Sequence, residues 1–471
     1  METLELVWFR NDLRCRDQSA LARAREQGPV VAVYCFCPEQ LARHGVGGNR
    51  IAFLLRCLKA LRKELDDLGM PLKVLRCPTF DAVPKGLLSL ARTIGARRLW
   101  FNDEYPVNER LRDSGVEDIF AGAGIDIVRG SDTVIRAPGT VLTQAGTPYT
   151  VFTPFRRRWL ESIHPEDLAP LPRPRRQTRP DISSDDIPDL PSGCEVQAPA
   201  DMWPGGEDEA LKRLERFVDV GLEGYREQRD FPAMDGTSTL SPWLSVGAVS
   251  PRQCLHAALE CNDGRLDGGS AGATTWITEL IWREFYRHVT AAFPHVSRGQ
   301  AFRPDYDAMQ WRADPEQFDA WREGRTGYPL VDAAMRQLAQ TGWMHNRLRM
   351  VVAMFLSKNL LLDWRLGEAH FMEHLVDGDF ASNNGGWQWS ASTGTDAAPY
   401  FRVFNPVTQS RRFDPDGHFI RRYVPELASL GLPQLHAPWK AHDALLEYPG
   451  PLVDAAASRR RAIDAFRALG G

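Results

Sequence analysis

Short apolar runs alternate with amphipathic segments along the first part of the chain. The segments Asn49–Leu68 and Val107–Ala121 show helical periodicity. Five runs between such segments are rich in Val, Ile and Leu, as buried parallel strands are: Leu4–Phe9, Val30–Phe36, Leu72–Arg76, Arg98–Asn102 and Ile125–Val128. This alternation predicts an α/β domain built on a doubly wound parallel sheet, to which we assign residues 1–130.

The pattern changes after a proline-rich stretch. Nine prolines lie between Pro165 and Pro204, with Arg, Ser and Asp among them, which is typical of a connecting segment. Beyond it strand signals fade and helical periodicity dominates, as in Leu330–Leu338 and Leu348–Leu362. We therefore assign residues 131–205 to an interdomain linker and residues 206–471 to an all-α C-terminal domain.

Composition excludes several classes of protein. The chain is 43% hydrophobic and 25% charged. Its first residues do not form a basic segment followed by an apolar one, so we expect no secretory signal. Its apolar runs, such as Met350–Leu356, are too short to span a bilayer. Eight scattered cysteines without a C-x-x-C pair favour a reduced, cytosolic compartment and no structural zinc. We expect no metal and no membrane partner.

The net charge and the glycine patterns limit the nucleotide and nucleic-acid partners. A formal charge of -4 means that any binding to nucleic acid requires a local basic patch. The chain has neither G-x-G-x-x-G nor a P-loop, so the usual nucleotide fingerprints are missing. Eleven of the fourteen tryptophans follow residue 200, and because Trp is an awkward core filler, this enrichment indicates stacking or aromatic chemistry.

One stretch from Asn383 to Asp396 reads N-N-G-G-W-Q-W-S-A-S-T-G-T-D. Its two tryptophans, Trp387 and Trp389, follow a pair of glycines. A strand would place both rings on one face, whereas a helix would direct them to different surroundings. Because glycines weaken a helix, we interpret the stretch as serving something other than packing.

A second candidate is the segment Glu279–Tyr286. In a helix, Glu279, Trp282, Arg283 and Tyr286 share one face. A polar surface stripe is the common explanation of such a face. A pocket that stacks a flat ligand and hydrogen-bonds its edge would explain the tryptophan beside the carboxylate.

Three further motifs have both a functional and an ordinary explanation. The segment Trp343–Met350 contains an amide, cations and a thioether close together in the sequence. Its His345 is best explained as a structural histidine. The run Thr237–Ser241 before Pro242 can hold a phosphate at a helix N-terminus, although taken alone it is best explained as a plain N-cap. Asp377-Gly378-Asp379 lacks the spacing of a calcium loop and favours a turn or acceptors for ribose hydroxyls and ring N–H groups.

Taken together, the chain resembles the cryptochrome/photolyase family, and most of all the class I DNA photolyases that split cyclobutane pyrimidine dimers. The resemblance spans nearly the whole chain and rests on four collinear segments: Val7–Arg14, Gly327–Arg336, Trp343–Met350 and Asp377–Asn405. It implies that the α/β domain binds an antenna and that the helical domain holds a U-shaped FAD.

The resemblance assigns roles around the flavin. Asn383 would face the flavin N5, where plant cryptochromes have Asp and animal ones Cys, so Asn favours repair over signalling. Trp387, Trp364 and Trp311 would form an electron relay. The remaining FAD contacts implied by the resemblance are Tyr225, Thr237, Ser238, Thr239, Leu240, Ser241, Trp276, Glu279, Arg283, Trp343, Asn346, Arg349, Asp377 and Asp379.

The resemblance also implies UV-damaged DNA as partner and a monomeric enzyme. The (6-4) photoproduct enzymes place histidines in the segment equivalent to 343–350, and Asn346-Arg347-Leu348 departs from that, which favours cyclobutane dimers. The positions that match DNA contacts are Arg229, Glu279, Trp282, Tyr286, Asn346, Arg347, Met350, Trp389 and Gln409.

The antenna is the least settled assignment. His44, Asn108 and Glu109 match folate contacts, which predicts a methenyltetrahydrofolate antenna, with a deazaflavin or an empty site as alternatives. Ser297-Arg298 stands where the family usually has Cys-Lys, and Arg can still meet a glutamate tail.

The resemblance implies that an excited, reduced flavin donates an electron to a flipped-out dimer, whose ring splits before the electron returns. Stacking on Trp282 and Trp389 would contribute ~1–3 kcal/mol per base. Glu279 would hydrogen-bond the bases and stabilise the dimer radical anion. The alternatives are a blue-light signalling cryptochrome and a dark flavin oxidoreductase, for which no nicotinamide fingerprint is present.

Overall fold

The structure, a computed structural model, describes residues 3–441 and 447–469. Its five strands form one parallel sheet in the order β3-β2-β1-β4-β5. Strand β1 lies in the middle, where Val7 pairs with Ala32 on one side and with Trp100 on the other. The strands are β1 Leu4–Phe9, β2 Val30–Phe36, β3 Leu72–Arg76, β4 Ala96–Asn102 and β5 Asp126–Gly130. The predicted doubly wound parallel sheet is confirmed, with small differences at the ends of the last two strands.

Contacts divide the described chain into two compact units. The first comprises residues 3–196, 200–223 and 238–294, and it contains the sheet. Its helices are α1 Ser19–Gln27, α2 Pro38–Arg43, α3 Gly48–Asp67, α4 Val83–Ile94, α5 Val107–Ala121, α6 Phe152–Glu161, α7 Glu207–Arg216, α9 Ser241–Val246, α10 Pro251–Glu260 and α11 Ala271–Ala292. One core cluster packs Trp8 and Phe101 of the sheet against Leu87 of α4 and Phe120 of α5.

The second unit is helical and comprises residues 197–199, 224–237, 295–441 and 447–469. Its helices are α8 Tyr225–Gln228, α12 Pro315–Arg322, α13 Pro329–Thr341, α14 Asn346–Met354, α15 Trp364–His374, α16 Phe380–Ala391, α17 Pro406–Phe413, α18 His418–Tyr423, α19 Leu432–Leu435 and α20 Ala455–Arg467. The predicted helical second half is confirmed. Its core packs Leu338 of α13, Val352 of α14, Phe371 of α15 and Ile420 of α18 together.

The end of α14 departs from the regular helix that the apolar pattern predicts over Leu348–Leu362. The α-helix ends at Met354, and a wider π-helical turn continues from Phe355 to Leu360. Leu361 then adopts a left-handed conformation with a φ of 56°. Hydrophobic periodicity alone does not distinguish these two helical geometries, because both bury the same apolar residues.

Two general features bear on the sequence predictions. The eight cysteines, all of which lie in the described ranges, form no disulfide. Among the described residues no helix is both long and apolar enough to cross a membrane.

Candidate functional site

The predicted site residues are distributed over both units. The first unit contains His44, Asn108, Glu109, Ser238, Thr239, Leu240, Ser241, Trp276, Glu279, Trp282, Arg283 and Tyr286. The second contains Tyr225, Arg229, Thr237, Ser297, Arg298, Trp311, Trp343, Asn346, Arg347, Arg349, Met350, Trp364, Asp377, Asp379, Asn383, Trp387, Trp389 and Gln409.

One face of helix α11 carries four predicted residues of the first unit. Glu279, Trp282, Arg283 and Tyr286 are all partly exposed, whereas the neighbouring Phe285 is buried. The helical face expected from the spacing is therefore present. Its combination of a carboxylate with aromatic rings suits a flat ligand that has hydrogen-bonding groups at its edge.

The indole of Trp282 is supported by a second aromatic ring. Phe152 at the start of α6 stacks on it with ring centroids 3.6 Å apart and planes at 7°. The ring of Tyr286 lies 5.7 Å from the indole at a tilt of 34°. Because Phe152 covers one face of the indole, a further ring can stack only on the opposite face.

Arg283 is oriented by backbone carbonyls. Its Nη1 donates to the carbonyl of Thr133 at 2.7 Å, and its Nη2 donates to the carbonyl of Leu244 at 3.1 Å. A guanidinium has five N–H donors in a rigid fork. These two contacts therefore fix the direction of the cation within the first unit.

Glu284 is a positioning residue that sequence reasoning missed. Its buried carboxylate accepts hydrogen bonds from the backbone N–H groups of Ile135 at 2.7 Å and Arg136 at 2.8 Å, and from the indole of Trp159 at 2.5 Å. Burial raises the pKa of this carboxyl, and the three donors oppose that effect. The residue ties α11 to α6, and its partners are too distant in sequence to give a local signal.

The hydroxyl run before α9 does not cap the helix with a side chain. The helix starts at Ser241, with Pro242 near its N-terminus as predicted, and no side-chain oxygen of the N-cap residue accepts a hydrogen bond. Thr239 adopts a φ of 48°, and its hydroxyl accepts a hydrogen bond from Arg213. The plain N-cap expected from the sequence is therefore wrong. The physical reason is that the residue in the N-cap position is Leu240, which has no polar side chain.

In the second unit an ion pair joins α14 to the turn before α16. Nη2 of Arg349 lies 2.7 Å from Oδ2 of Asp377, and Nε of Arg349 donates to the carbonyl of Met344 at 2.8 Å. The second carboxylate oxygen of Asp377 is buried, and none of the described residues donates a hydrogen bond to it. An unsatisfied buried acceptor costs free energy, so this oxygen suits a ligand that carries an N–H or O–H group.

The start of α16 is held by polar contacts to α15. Asp379 caps the helix by accepting the backbone N–H of Ser382 at 3.0 Å. Asn383 is buried, and its side-chain amide donates to the backbone carbonyl of Glu368 at 3.0 Å. The amide of Asn384 donates to the carboxylate of the same glutamate at 2.8 Å. Sequence reasoning missed Glu368, although it lies four residues after the predicted Trp364.

The carboxyl of Glu368 should make stability depend on pH. Burial raises its pKa from 4.5 to about 7. The folded state therefore binds the proton more tightly than the unfolded chain, and this contribution is lost as the pH rises from 4.5 to 7. Since one pKa unit corresponds to about 1.4 kcal/mol, we expect the free energy of unfolding to fall by about 3 kcal/mol across this window relative to Glu368→Gln.

Urea titrations of both proteins at pH 5 and pH 8 measure this difference. Glu316→Gln, on an exposed residue of α12 in the same unit, is the matched control. Parallel pH profiles of the wild type and Glu368→Gln would contradict a raised pKa at this carboxyl.

The two tryptophans of α16 have different surroundings. Trp387 is 2% exposed and belongs to the core of the second unit together with the fully buried Trp364. Trp311 is partly exposed and packs against the same core. Trp389 is also partly exposed. Trp387 therefore packs in the core of the second unit, because the helix directs its ring there, and this packing was not expected from the sequence.

The arginines expected to bind phosphates have acidic and aromatic neighbours in the second unit. Arg347 lies 2.7 Å from Asp230 and packs over Phe413 at 4.5 Å. Arg229 lies 4.0 Å from Asp230 and packs over Tyr225 at 5.4 Å. One carboxylate thus lies beside both cations and keeps them near each other.

Two other predicted DNA contacts, Met350 on α14 and Gln409 on α17, are partly exposed. Asn346, the first residue of α14, is exposed, and it follows His345, whose ring accepts the backbone N–H of Arg347 at 3.2 Å. Burial lowers the pKa of His345 to about 4, and its buried Nε2 has no hydrogen-bond partner among the described residues.

The predicted antenna residues of the first unit lie together. Nε2 of His44 lies 2.9 Å from the side-chain amide nitrogen of Asn108 and 2.8 Å from that of Gln40, while Nδ1 lies 3.7 Å from Glu109. Burial lowers the pKa of His44, and burial together with Glu104 raises the pKa of Glu109 to about 7. A neutral imidazole that accepts from the two amides fits these distances.

Ser297 and Arg298 belong to the second unit. They end a 3-10 turn over Pro294–Arg298, where the arginine is exposed. The serine hydroxyl is buried without a hydrogen-bond partner among the described residues.

Comparison with known proteins identifies the family. One family model, described as DNA photolyase, matches residues 5–175, and another, described as the FAD binding domain of DNA photolyase, matches residues 276–468. The deoxyribodipyrimidine photo-lyase of Salmonella typhimurium is 43% identical over 470 residues, which cover 98% of each chain. The chain belongs to the DNA photolyase family.

Solved structures of this family share its architecture. A bacterial class III photolyase from Agrobacterium tumefaciens superposes with a TM-score of 0.89 at 37% identity, covering 100% of this chain and 98% of that one. A cryptochrome from Synechocystis sp. PCC6803 gives a TM-score of 0.83 at 29% identity, covering 98% and 99%. Photolyases and cryptochromes thus share this sheet domain and helical domain, and the fold alone does not separate repair from signalling.

The residues of this photolyase family member fit FAD, the cofactor named by its matching domain. The unsatisfied buried oxygen of Asp377 is an acceptor of the kind that a flavin ring N–H or a ribose hydroxyl would complete. Arg349 beside it holds this carboxylate in one orientation. Apart from its chain neighbours and the backbone of its own helix, no described protein atom lies within 4 Å of the position that a side-chain carbon on Gly386 would take, so packing against the rest of the described protein does not require this glycine.

Proposed function

We propose that this protein repairs cyclobutane pyrimidine dimers in DNA by light-driven electron transfer. The observation that carries the proposal is the 43% identity, over 98% of both chains, to a deoxyribodipyrimidine photo-lyase. FAD, when reduced and excited by light, would supply the electron that opens the cyclobutane ring and take it back afterwards. The protein binds the flavin and the dimer, orients them and excludes water.

We propose that the lesion stacks on Trp282 and on Trp389. A dimer within a duplex is unreachable, so the dinucleotide must be flipped out, at a cost of a few kcal/mol that the damage has already reduced. The ring of Phe152 behind Trp282 leaves one indole face for a base and supports that face rigidly. Met350 and Gln409 would contact the flipped dinucleotide.

The carboxylate of Glu279 would hydrogen-bond the bases of the dimer. Its position one turn before Trp282 and Arg283 on α11 places it beside the proposed stacking ring. A preorganised group of this kind stabilises charge that develops during the reaction. Tyr286, one turn after Trp282, would extend the same contact surface.

We propose that the flavin is held by the following residues as the family resemblance implies: Tyr225, Thr237, Ser238, Thr239, Leu240, Ser241, Trp276, Arg283, Trp343, Asn346, Arg349, Asp377, Asp379 and Asn383. In this arrangement Asp377 accepts from the ring or ribose, and Asn383 faces N5. The contact from Asn383 to the backbone of Glu368 fixes the orientation of that amide before the flavin binds. The helical segment 206–471 is thus our proposed FAD- and DNA-binding domain.

DNA binding requires local positive charge, since the whole chain is acidic. We propose that Arg229 and Arg347 contact phosphates next to the lesion. Their shared neighbour Asp230 holds both guanidiniums close to each other in the second unit. When DNA phosphates replace Asp230 as the partner of these arginines, counterions are released from the DNA. Because of this release, the affinity for DNA should fall as the salt concentration rises.

The antenna proposal is methenyltetrahydrofolate, with His44, Asn108, Glu109, Ser297 and Arg298 as contacts. The cluster of His44, Asn108 and Glu109 in the first unit supports it, because amide and carboxyl groups of this kind can bind a pterin ring edge. A deazaflavin is the alternative ligand. We further propose a monomeric, cytosolic protein and residues 1–130 as the antenna domain.

The decisive experiment measures light-dependent loss of thymine dimers from an irradiated oligonucleotide. The purified protein, with its flavin chemically reduced, should remove dimers under blue light and not in the dark. Glu279→Ala should keep the flavin but lose ~1–3 kcal/mol of dimer binding, the usual cost of a buried partner left without its hydrogen bond. Glu260→Ala, an exposed carboxylate at the end of α10, is the matched control.

The outcomes separate the two candidate functions. Equal amounts of dimer in light and dark would contradict repair. The remaining candidate function would then be that of a blue-light photoreceptor, as in the cryptochrome branch. Unchanged dimer affinity and repair in Glu279→Ala would remove the role given to this carboxylate.

A further inference from the structure

Three potential metal ligands lie together at the end of helix α15. His370 and His374 are one helical turn apart, and their ring centroids are separated by 4.1 Å. Glu373 lies next to them, and one ligand atom from each residue lies within 4.8 Å of the other two. None of the three belongs to the residues proposed to bind FAD, antenna or DNA. The H-x-x-E-H spacing is one that places two imidazoles on the same side of a helix, as in one class of zinc proteins.

The ring of His374 is fixed by a contact within its own helix. Its Nδ1 lies 2.9 Å from the backbone carbonyl of His370. Because a carbonyl only accepts, Nδ1 carries the hydrogen, and in this tautomer Nε2 carries the lone pair that can coordinate a metal. A hydrogen bond from the second ring nitrogen to a backbone carbonyl is the usual support of a coordinating histidine.

The ring of His370 is held in place by an aromatic neighbour. The ring of Trp321 packs against it in an edge-to-face arrangement with ring centroids 5.5 Å apart.

We propose that His370, Glu373 and His374 bind one divalent transition metal ion of the Zn²⁺ class. Two imidazole nitrogens and one carboxylate oxygen form a donor set that Zn²⁺ accepts in tetrahedral geometry, with water as the fourth ligand. Mg²⁺ and Ca²⁺ prefer oxygen ligands throughout, so they are excluded by the two nitrogens. The ion would pin the last turn of α15, the helix that also carries Trp364 and Gly367.

The test is a calorimetric titration of the full-length protein with Zn²⁺, after chelator treatment and dialysis and with its flavin retained. The wild type should bind one equivalent of Zn²⁺ more tightly than any further equivalents. His370→Ala and His374→Gln should lose this tight binding. His256→Ala is the matched control, because His256 lies 3.4 Å from Glu260 one turn away and belongs to no cluster of potential metal ligands among the described residues. X-ray absorption of the zinc-loaded wild type should show two nitrogen ligands at about 2.0–2.1 Å.

Flavin absorbance and far-ultraviolet circular dichroism establish that each variant is folded. A folded wild type without a tight equivalent overturns the proposal, as does a tight equivalent that persists in both histidine variants. Mg²⁺ competing as well as Zn²⁺ for the same equivalent would equally overturn it, because the donor set would then be oxygen alone. These results do not depend on repair activity, so they leave the proposed function untouched.

Discussion

Trp387→Phe should abolish the light-driven reduction of oxidised flavin while dimer binding stays near normal. Trp387 and Trp364 are buried in the core of the second unit, and Trp311 lies at a partly exposed position against that core. An electron from solvent could therefore enter at Trp311 and move inward through indole rings. Phenylalanine fills most of the space of the indole but is much harder to oxidise, so the relay would be interrupted at its innermost member.

The substitution is mild for the fold. The indole nitrogen of Trp387 has no hydrogen-bond partner among the described residues, so no donor or acceptor loses its partner when the ring is replaced. Once its flavin has been reduced chemically, Trp387→Phe should repair dimers normally, since repair uses the flavin electron and not the relay. Absorbance spectra under illumination measure the reduction, and dimer loss measures the repair.

Trp389→Ala should have the opposite effects. Trp389 is partly exposed on the same helix, two residues away, and the helical offset gives the two rings different surroundings. We expect normal photoreduction together with a loss of about 1–3 kcal/mol in the preference for dimer-containing DNA, the usual worth of one stacked base. If either substitution abolishes both activities with FAD still bound, this division of roles is wrong.

The sheet and most of the helices could be predicted because their signals are local. The strand Leu4–Phe9 and the helix Val107–Ala121 have the predicted bounds, since a run of β-branched and apolar residues or a 3.6-residue period is visible within one segment. The shared face of Glu279 and Trp282 followed from the same period. The family resemblance, which the comparisons confirm, supplied the cofactor, the reaction and the role assigned to each residue.

What the sequence did not predict depends on contacts between distant segments. Glu284 and Glu368 are ordinary glutamates in the sequence. Only their contacts show that the carboxylate of Glu284 anchors α11 and that the carboxylate of Glu368 accepts a hydrogen bond from Asn384 of α16. The packing of Trp387 was not predicted for the same reason, because the core that receives it is built from other helices.

Gly367→Ala should destabilise the second unit and disturb the proposed relay. A side-chain carbon on Gly367 would lie 2.0 Å from Cη2, 2.4 Å from Cζ3 and 2.6 Å from Cζ2 of Trp387, far inside van der Waals contact. The indole has little room to move, since Phe371 and Trp321 pack against it with centroids 5.0 and 6.0 Å away. Such overpacking typically costs 1–3 kcal/mol, so we expect ~1–3 kcal/mol less unfolding free energy and slower photoreduction of the flavin.

A double-mutant cycle with Trp387→Phe tests the physical cause. All three colliding atoms belong to the six-membered ring of the indole, and a phenyl ring at the same position does not reach as far. Gly367→Ala should therefore cost less in the Trp387→Phe background than in the wild type, with a coupling of about 1 kcal/mol or more. Gly386→Ala on α16 is the matched control, because no described atom outside the adjoining residues and the backbone of the same helix would lie within 4 Å of the new methyl group. It should be neutral or slightly stabilising, by up to about 1 kcal/mol, since alanine is the better helix former. Additive costs in the cycle would show that Gly367 is required for a reason other than the close approach of Trp387.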